Sequence, residues 1–411
     1  MALNEKRLIV SEFDFDDVKS NLKTFLEAQN EFTDYDFEGS GMSVLLDILA
    51  YNTHYLGFNM NMLANEMFLD SASLRSSVVS HAKTLGYETA SVRSAKAEVD
   101  VILFDSVKTT GTLAAGTVFT SSVDDVDFQF VTIADYTASN TGSQINFQNI
   151  PIHEGTFITT RITVDQTDVE QRFVIPDNRA DTNTLTVKVQ NSASDTTSTT
   201  FTKATDITQV SSTSNSYFIQ EVENGKHEVY FGDGVVGKAL SSGNIVVLTY
   251  VVTNGASANT AAVFSNAAAI DTVVSVSVQT VFESSGGANA ETIASIKFNA
   301  PLDYASQGRC VTAEDYKTFV RQYYPNTQAV SIFGGENGSF DDTLGVVSTP
   351  EYGKVFISVK STTGNNLTDA EKTRLVNDLA PFTVASITPV IVDPETLFLI
   401  LDVNAQFNSS L

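Results

Sequence analysis

The chain has 411 residues, with 24 Lys and Arg against 49 Asp and Glu and a formal charge of −25. Such an acidic excess argues against DNA or RNA as a direct partner, because counterion release needs clustered Lys and Arg, and equally against an anionic membrane surface. Apolar residues make up 42% of the sequence, so it reads as a folded chain with two or three cores. No apolar run nears the ~20 residues of a membrane span, and the stretch before Glu12 does not read as a signal peptide. A lone cysteine, Cys310, excludes an internal disulfide and a cysteine-based zinc site.

Residues 1–90 read as helix. Val18, Leu22, Phe25 and Phe32 form a heptad-compatible stripe behind the acidic start Asp14, Asp16 and Asp17. Met42, Leu46, Leu49, Thr53, Leu56, Met60, Leu63 and Met67 then alternate steps of four and three, a coiled-coil-type seam with one polar interruption. Leu45, Ile48, Tyr55, Phe58 and Met62 make a second apolar face on the same helix. The segment offers only three helices to cover two faces, so an intramolecular core accounts for part of this apolar excess and helices of a partner chain for the rest. Ser71 or Ser73 is expected to cap a third helix, with Leu74, Val78, Val79, Ala82 and Leu85 on one face and Gly86 past its end.

From 91 to 285 Thr, Ser and Val dominate and apolar residues alternate, as in Leu185–Val189 and Val246–Val252. This is expected to be a mostly antiparallel β domain. Between Ser192 and Ser216, 15 of 25 residues are Ser or Thr, which reads as an exposed loop or irregular edge. Residues 286–411 alternate helices and strands. Thr312–Asp315 and Thr368–Glu371 look like capping boxes whose helices end near Pro325 and Pro381, and Lys354–Val359 and Leu397–Leu401 read as strands. The chain ends at Leu411 just after an alternating stretch, which suggests a natural sequence that continues. The expected fold is thus α+β and multidomain: an N-terminal helical bundle, a central mostly antiparallel β domain, and a C-terminal α/β sandwich-type domain.

Candidate chemistry is sparse. Gly232-Asp-Gly234-Val-Val-Gly237-Lys238-Ala239 nearly fits a phosphate loop, but Ala239 lacks the hydroxyl for magnesium and strand rather than helix is expected to follow. A Gly-rich hairpin built on Phe231, Gly232, Asp233, Gly234 and Gly237 is the better reading. Asp124-Asp125-Val-Asp127 lacks the continuation of a calcium loop and reads as a solvated turn; Asp341-Asp342 has the same standing. His54, His81, His153 and His227 have no metal-type spacing. Cys310, two residues before a helix cap, reads as a structural thiol. No catalytic constellation, cofactor site or metal site is expected.

Phe231-Gly-Asp-Gly234 with Gly237, Gly243, Tyr250, Gly255 and Asn259 resembles the glycine-rich signature of baseplate J-like proteins, which are wedge components of contractile phage tails and related injection machines. Gly286-Gly287-Ala-Asn-Ala-Glu291, the block Arg309–Tyr316, and Arg75 leading to Gly86-Tyr87 resemble further blocks of that family. Gln29–Gly39 with Leu49-Ala-Tyr-Asn52 is similar to the large baseplate wedge subunits of T-even-type contractile-tailed bacteriophages. The matches span about residues 22 to 395. Ala258 stands where the family often has Gly, and the chain is shorter than those wedge subunits.

The resemblance implies a non-enzymatic structural subunit of the virion's tail baseplate, made in the host cytoplasm. It implies pairing with itself within a wedge, ring formation in the baseplate, N-terminal helices bundled with a second wedge protein, and contacts with other baseplate and sheath-proximal proteins. Neither nucleic acid binding nor membrane insertion is expected. The candidate partner-interface residues are Val18, Leu22, Phe25, Met42, Leu46, Leu49, Leu56, Met60, Leu63 and Met67. A different class, a host-surface glycan-binding adhesin, is suggested by the Thr/Ser-rich stretch, although Trp is absent and ring stacking is what sugars need. A two-carboxylate carbohydrate hydrolase is a third option, one that needs a cleft.

Overall fold

The computed structural model describes residues 14–28, 40–168, 171–204, 210–324, 327–337, 340–341, 346–347, 350–361 and 366–394. Phe32, the stretch Gln29–Gly39, Pro325, Asp342, the expected strand Leu397–Leu401 and the last residues to Leu411 lie outside them. The described chain has helices at its N-terminal end, mostly antiparallel sheets in the middle and helices again after 292. It divides into two compact units, 1–301 and 302–411.

Side-chain caps start the first two helices, the first at the expected acidic start and the second at Ser40, just ahead of the seam that begins at Met42. Asp14 accepts from the Phe15 amide at 2.7 Å to open α1 (Phe15–Glu27), and Ser40 accepts from the Ser43 amide at 3.0 Å to open α2 (Gly41–Glu66). The start of α3 (Arg75–Thr84) differs from expectation. Neither Ser71 nor Ser73 caps it; Leu74 stands at the cap position without a side-chain bond. Glu66, at the end of α2, takes over and accepts from the Ser73 amide and hydroxyl, both at 2.7 Å, and from the Leu74 amide at 3.2 Å. Desolvation pushes the Glu66 carboxyl up, but the bonds from Ser73, Ser77 and Leu74 outweigh it and hold the group at about 2. The far end of α3 closes as the sequence predicts. Gly86 has φ +81°, its amide reaches Lys83 O at 2.9 Å, and the Tyr87 amide reaches Ala82 O at 3.0 Å. Val78, Val79 and Ala82 then bury against Tyr87, Ile296 and Ala300.

Two large sheets and a two-stranded one, Thr110–Leu113 with Tyr136–Ser139, make up the β part of the first unit. One has six strands in the spatial order Ser265–Asn266, Val118–Val123, Val126–Val131, Gln144–Glu154, Lys96–Phe104 and Val276–Ser285. Its core holds Leu103, Leu113, Phe119, Phe130, Ile145 and Ile152, all fully buried. The other has seven strands, ordered Thr156–Thr163, Ile245–Val252, Ala180–Gln190, Ser198–Lys203, Ser216–Glu221, His227–Phe231 and Phe173–Val174. Val187, Val246, Leu248 and Tyr250 anchor its core. Strict burial alternation along Lys96–Phe104 shows why an in-out pattern of apolar residues makes one-sided strands.

The Thr/Ser-rich stretch departs from the loop reading. Ser198–Lys203 is an internal strand, antiparallel to Ala180–Gln190 and parallel to Ser216–Glu221, with Phe201 turned into the core. Thr and Ser at its alternate positions face outward, and β-branched Thr favours a strand there.

The second unit contains α5 (Ala313–Tyr323) and α6 (Asp369–Leu379) with the sheet Thr327–Gly334, Lys354–Ser361, Thr388–Val392. Before them α4 (Ile293–Ser306) carries Pro301 inside it. Both capping boxes form, Thr312 with Asp315 and Thr368 with Glu371, and both helices stop at the expected prolines or just before them. Phe319, Val320, Ile357, Leu375 and Leu379 make this unit's core, into which Cys310 is sealed at 1% exposure.

Candidate assembly surface and the joint behind it

Helix α2 is built inside out. Its buried residues are Ser43, Leu46, Ala50 and Gly57, mostly small, and they fall on one stripe. Small side chains let a neighbouring helix come close, and α1 packs there with Lys19 paired to Asp47 at 2.5 Å. The large apolar residues point elsewhere. Leu49, Leu56, Met60, Leu63 and Met67 are each more than half exposed, and so are Val44, Leu45, Ile48, Tyr51, Tyr55 and Phe58. At ~100° per residue these exposed side chains sweep roughly 200° of the helix circumference. Only Asp47 and Glu66 carry charge between Gly41 and Glu66.

The ten interface candidates therefore divide. Leu46 is buried, Val18, Leu22 and Met42 are half-buried, and Phe25 is exposed, as are the five outward residues of α2. Such contiguous apolar exposure is far beyond what scattered surface leucines explain.

The helix after α2 begins at a polar joint that joins distant blocks of sequence. Arg75, the first residue of α3, donates from Nε and Nη2 to the two carboxylate oxygens of Glu221 at 2.6 and 3.0 Å. Its Nη1 donates to the Glu291 carbonyl at 2.5 Å. Thr89 donates a further bond to Glu221, whose side chain is 1% exposed. The Glu291 carboxylate accepts from Tyr87 at 2.8 Å, Ser295 at 2.7 Å and the Ala90 amide at 3.2 Å. Nearby, Asn259 and Gly287 exchange two bonds of 2.9 Å, and a Cβ on Gly287 would lie 2.4 Å from the Gly255 carbonyl. Arg75 and Tyr87, through Glu221 and Glu291, tie the helical segment to the residues that follow it, while Gly255, Asn259 and Gly287 hold two loops of the β part against each other.

Other members of this scaffold escaped the sequence reading. Glu154 accepts from Thr253 and Asn254, and Asp181 from Ser94 and Asn183, both carboxylates 1% exposed. With Glu221 they are single acids in strands of a strongly acidic chain, and nothing local distinguishes them from solvated ones.

The glycine block forms a tight loop rather than a hairpin. Asp233 accepts from the Val235 and Val236 amides at 2.9 and 3.0 Å, bonds that hold its carboxyl below the usual range. The Gly234 amide reaches Gly237 O at 3.0 Å, and a Cβ on Gly232 would lie 2.2 Å from the Val236 carbonyl. Phe231 anchors the loop edge-on against Phe173 and Phe201. The flanking strands His227–Phe231 and Ile245–Val252 do not pair with each other; three strands separate them in the sheet. The hairpin expectation is corrected on that point, since pairing of the strands is set by long-range contacts rather than by the loop.

Among the described residues no three His, Cys, Asp or Glu side chains gather as metal ligands. Burial, with the Asp315 charge, pushes the Cys310 thiol up to about 12. Asp124 and Asp125 adopt φ +49° and +62° in the two-residue turn joining Val118–Val123 to Val126–Val131. Two open depressions, of about 380 and 410 Å³, each have a single carboxylate in their lining, Asp271 and Asp177.

Family comparisons agree with the architecture. Residues 14–87 match the helical domain of gp6-like baseplate wedge proteins. Residues 158–257 match the third domain of the bacteriophage baseplate wedge protein gp6, and 312–392 match C-terminal domain I of the baseplate structural protein gp6. Three segments of the chain thus match domains of gp6-like baseplate wedge proteins. It is 31% identical over 415 residues to baseplate wedge protein gp6 of Enterobacteria phage T4, an alignment covering 94% of this chain and 59% of that protein. The chain therefore spans about three-fifths of the length of this relative. Two solved structures are also similar. A cryo-EM structure of the anti-feeding prophage baseplate, 6-fold symmetrised, is 12% identical with TM-score 0.29 over 92% of this chain and 70% of that one. A type VI secretion system TssK-TssF-TssG baseplate subcomplex is 8% identical with TM-score 0.37 over 87% of this chain and 99% of that one. Likeness at that level supports no conclusion about this chain.

Proposed function

We propose that the chain is a non-enzymatic structural wedge subunit of a contractile-tail baseplate, carried in the virion's tail. Two copies pair within a wedge, α2 bundles with helices of the second copy and of another wedge protein, and the wedges close into a ring around the hub. The ring relays the trigger for sheath contraction through interfaces that switch as units.

The observation that carries this reading is the exposed apolar surface of α2. A neighbouring helix covers roughly 100° of a helix, so roughly 200° of exposed apolar surface calls for two helices besides α1. The helical segment to residue 90 is read as the partner-binding part, with 91–285 and 286–411 as the β-rich and C-terminal parts. The likeness of Phe231–Gly237 and Gly255–Asn259 to baseplate J-like proteins belongs to the same proposal. The adhesin reading loses its ground, because the Thr/Ser-rich stretch that motivated it contains an internal strand with its one aromatic, Phe201, buried.

Copy number tests this. Quantitative mass spectrometry of purified tail or baseplate particles is expected to give a multiple of six, in step with other wedge proteins. Absence from particles, or three copies tracking a fibre, would overturn it.

A further inference from the structure

His227 is 4% exposed, and neither of its ring nitrogens has a hydrogen-bond partner. Buried polar atoms are nearly always satisfied, so an orphaned imidazole inside a structure invites a physical account. Its position supplies one. His227 and Glu221 are directly opposed in the antiparallel ladder, so their side chains share one face of the sheet with Cβ atoms about 5 Å apart. Glu221 is the carboxylate that grips Arg75.

We propose that His227 makes the Arg75–Glu221 joint acid-sensitive: a proton on His227 sets an imidazolium beside the one carboxylate that holds Arg75, and the joint opens, freeing the start of α3. A buried carboxylate balances one cation. With both Arg75 and the imidazolium present, one positive charge is left uncompensated away from water.

The surroundings agree. The charges that act on His227 are Glu221 on its partner strand, Arg75 and Lys83 on α3, and Lys203 on the strand Ser198–Lys203, itself paired with Glu88 at 2.5 Å. The strand on the other side contributes Phe173 and Val174, and the Ile175 amide donates to the His227 carbonyl. Desolvation pushes the imidazole down to about 4; Glu221 pulls against that, and Arg75, Lys203 and Lys83 reinforce it.

The sign follows from linkage. In the open joint the ring meets water and regains its ordinary 6.5, so the open form holds the extra proton between pH 6.5 and about 4. The closed joint is fully stable above that window and weakens as pH falls through it, by close to tenfold per pH unit.

The test is hydrogen exchange on the intact chain, corrected for the intrinsic pH dependence of amide exchange, from pH 7 to 5. The amides of Val78, Val79 and Ala82 are expected to lose about tenfold or more of their protection relative to Val246 and Leu248, in line with one to two pH units of the window. His227→Gln, or His227→Phe where an amide is not tolerated, is expected to flatten that loss. Parallel loss in α3 and the sheet of the wild type would overturn the proposal. So would an undiminished acid step in the folded variants, which would assign the step to Glu221 itself.

Discussion

Replacing Leu49 and Leu56 by Asp is expected to leave the unfolding of the isolated chain nearly unchanged and to abolish its entry into wedges. Both side chains are more than half exposed on α2, so the monomer gives up little packing when they change. In a bundle each would be buried. Losing about 1.5–3 kcal/mol of burial at each site weakens association by roughly 10² to 10⁴, before the cost of desolvating two carboxylates is counted. Thermal unfolding of the purified variant and co-purification with wedge partners read the two halves separately. A variant that unfolds early, or one that assembles normally, contradicts the account.

Arg75→Ala is expected to act in the opposite way, through the fold. It leaves Glu221 buried with its charge and without the bidentate partner that neutralises it, and it removes the bond to the Glu291 carbonyl. Breaking one side of a buried pair costs about 3–5 kcal/mol. Denaturant unfolding should show that loss, and protease cutting near residues 70–92 should rise before the β sheets are attacked. Substituting Glu221 by Leu in the Arg75→Ala background should recover part of the stability, because the orphaned charge is then gone. Stability close to wild type in Arg75→Ala would show that the joint contributes little.

Local signals in the sequence were the reliable ones. The two capping boxes, the Gly86 helix end and the strand Lys354–Val359 each depend on residues a few positions apart, and each forms where expected. Helix α2 was legible as a helix because its periodicity runs over seven turns. Which face it buries was not legible, because the inward stripe Ser43, Ala50, Gly57 is made of small residues that hydropathy overlooks. The capping of α3 failed for a related reason: its acceptor, Glu66, sits eight residues before Leu74 in a different helix. The loop at Gly232–Gly237 was legible as a tight turn from its glycines, but the non-pairing of its flanking strands is a property of the whole sheet. Arg75 and Glu291 stood out through the family resemblance, while Glu221, 146 residues from Arg75, carried no mark of its own.

The central claim is that the outward face of α2 is covered in the assembled particle. Cys310 is the chain's one cysteine, sealed in the second unit with its thiol pushed up to about 12, and so is silent to alkylation at neutral pH. A Leu56→Cys substitution therefore places a single reactive thiol on that face. The account predicts rapid alkylation of the isolated chain and protection of at least a hundredfold in purified particles. Equal labelling in the two states would leave α2 bare in the assembly and contradict the account directly.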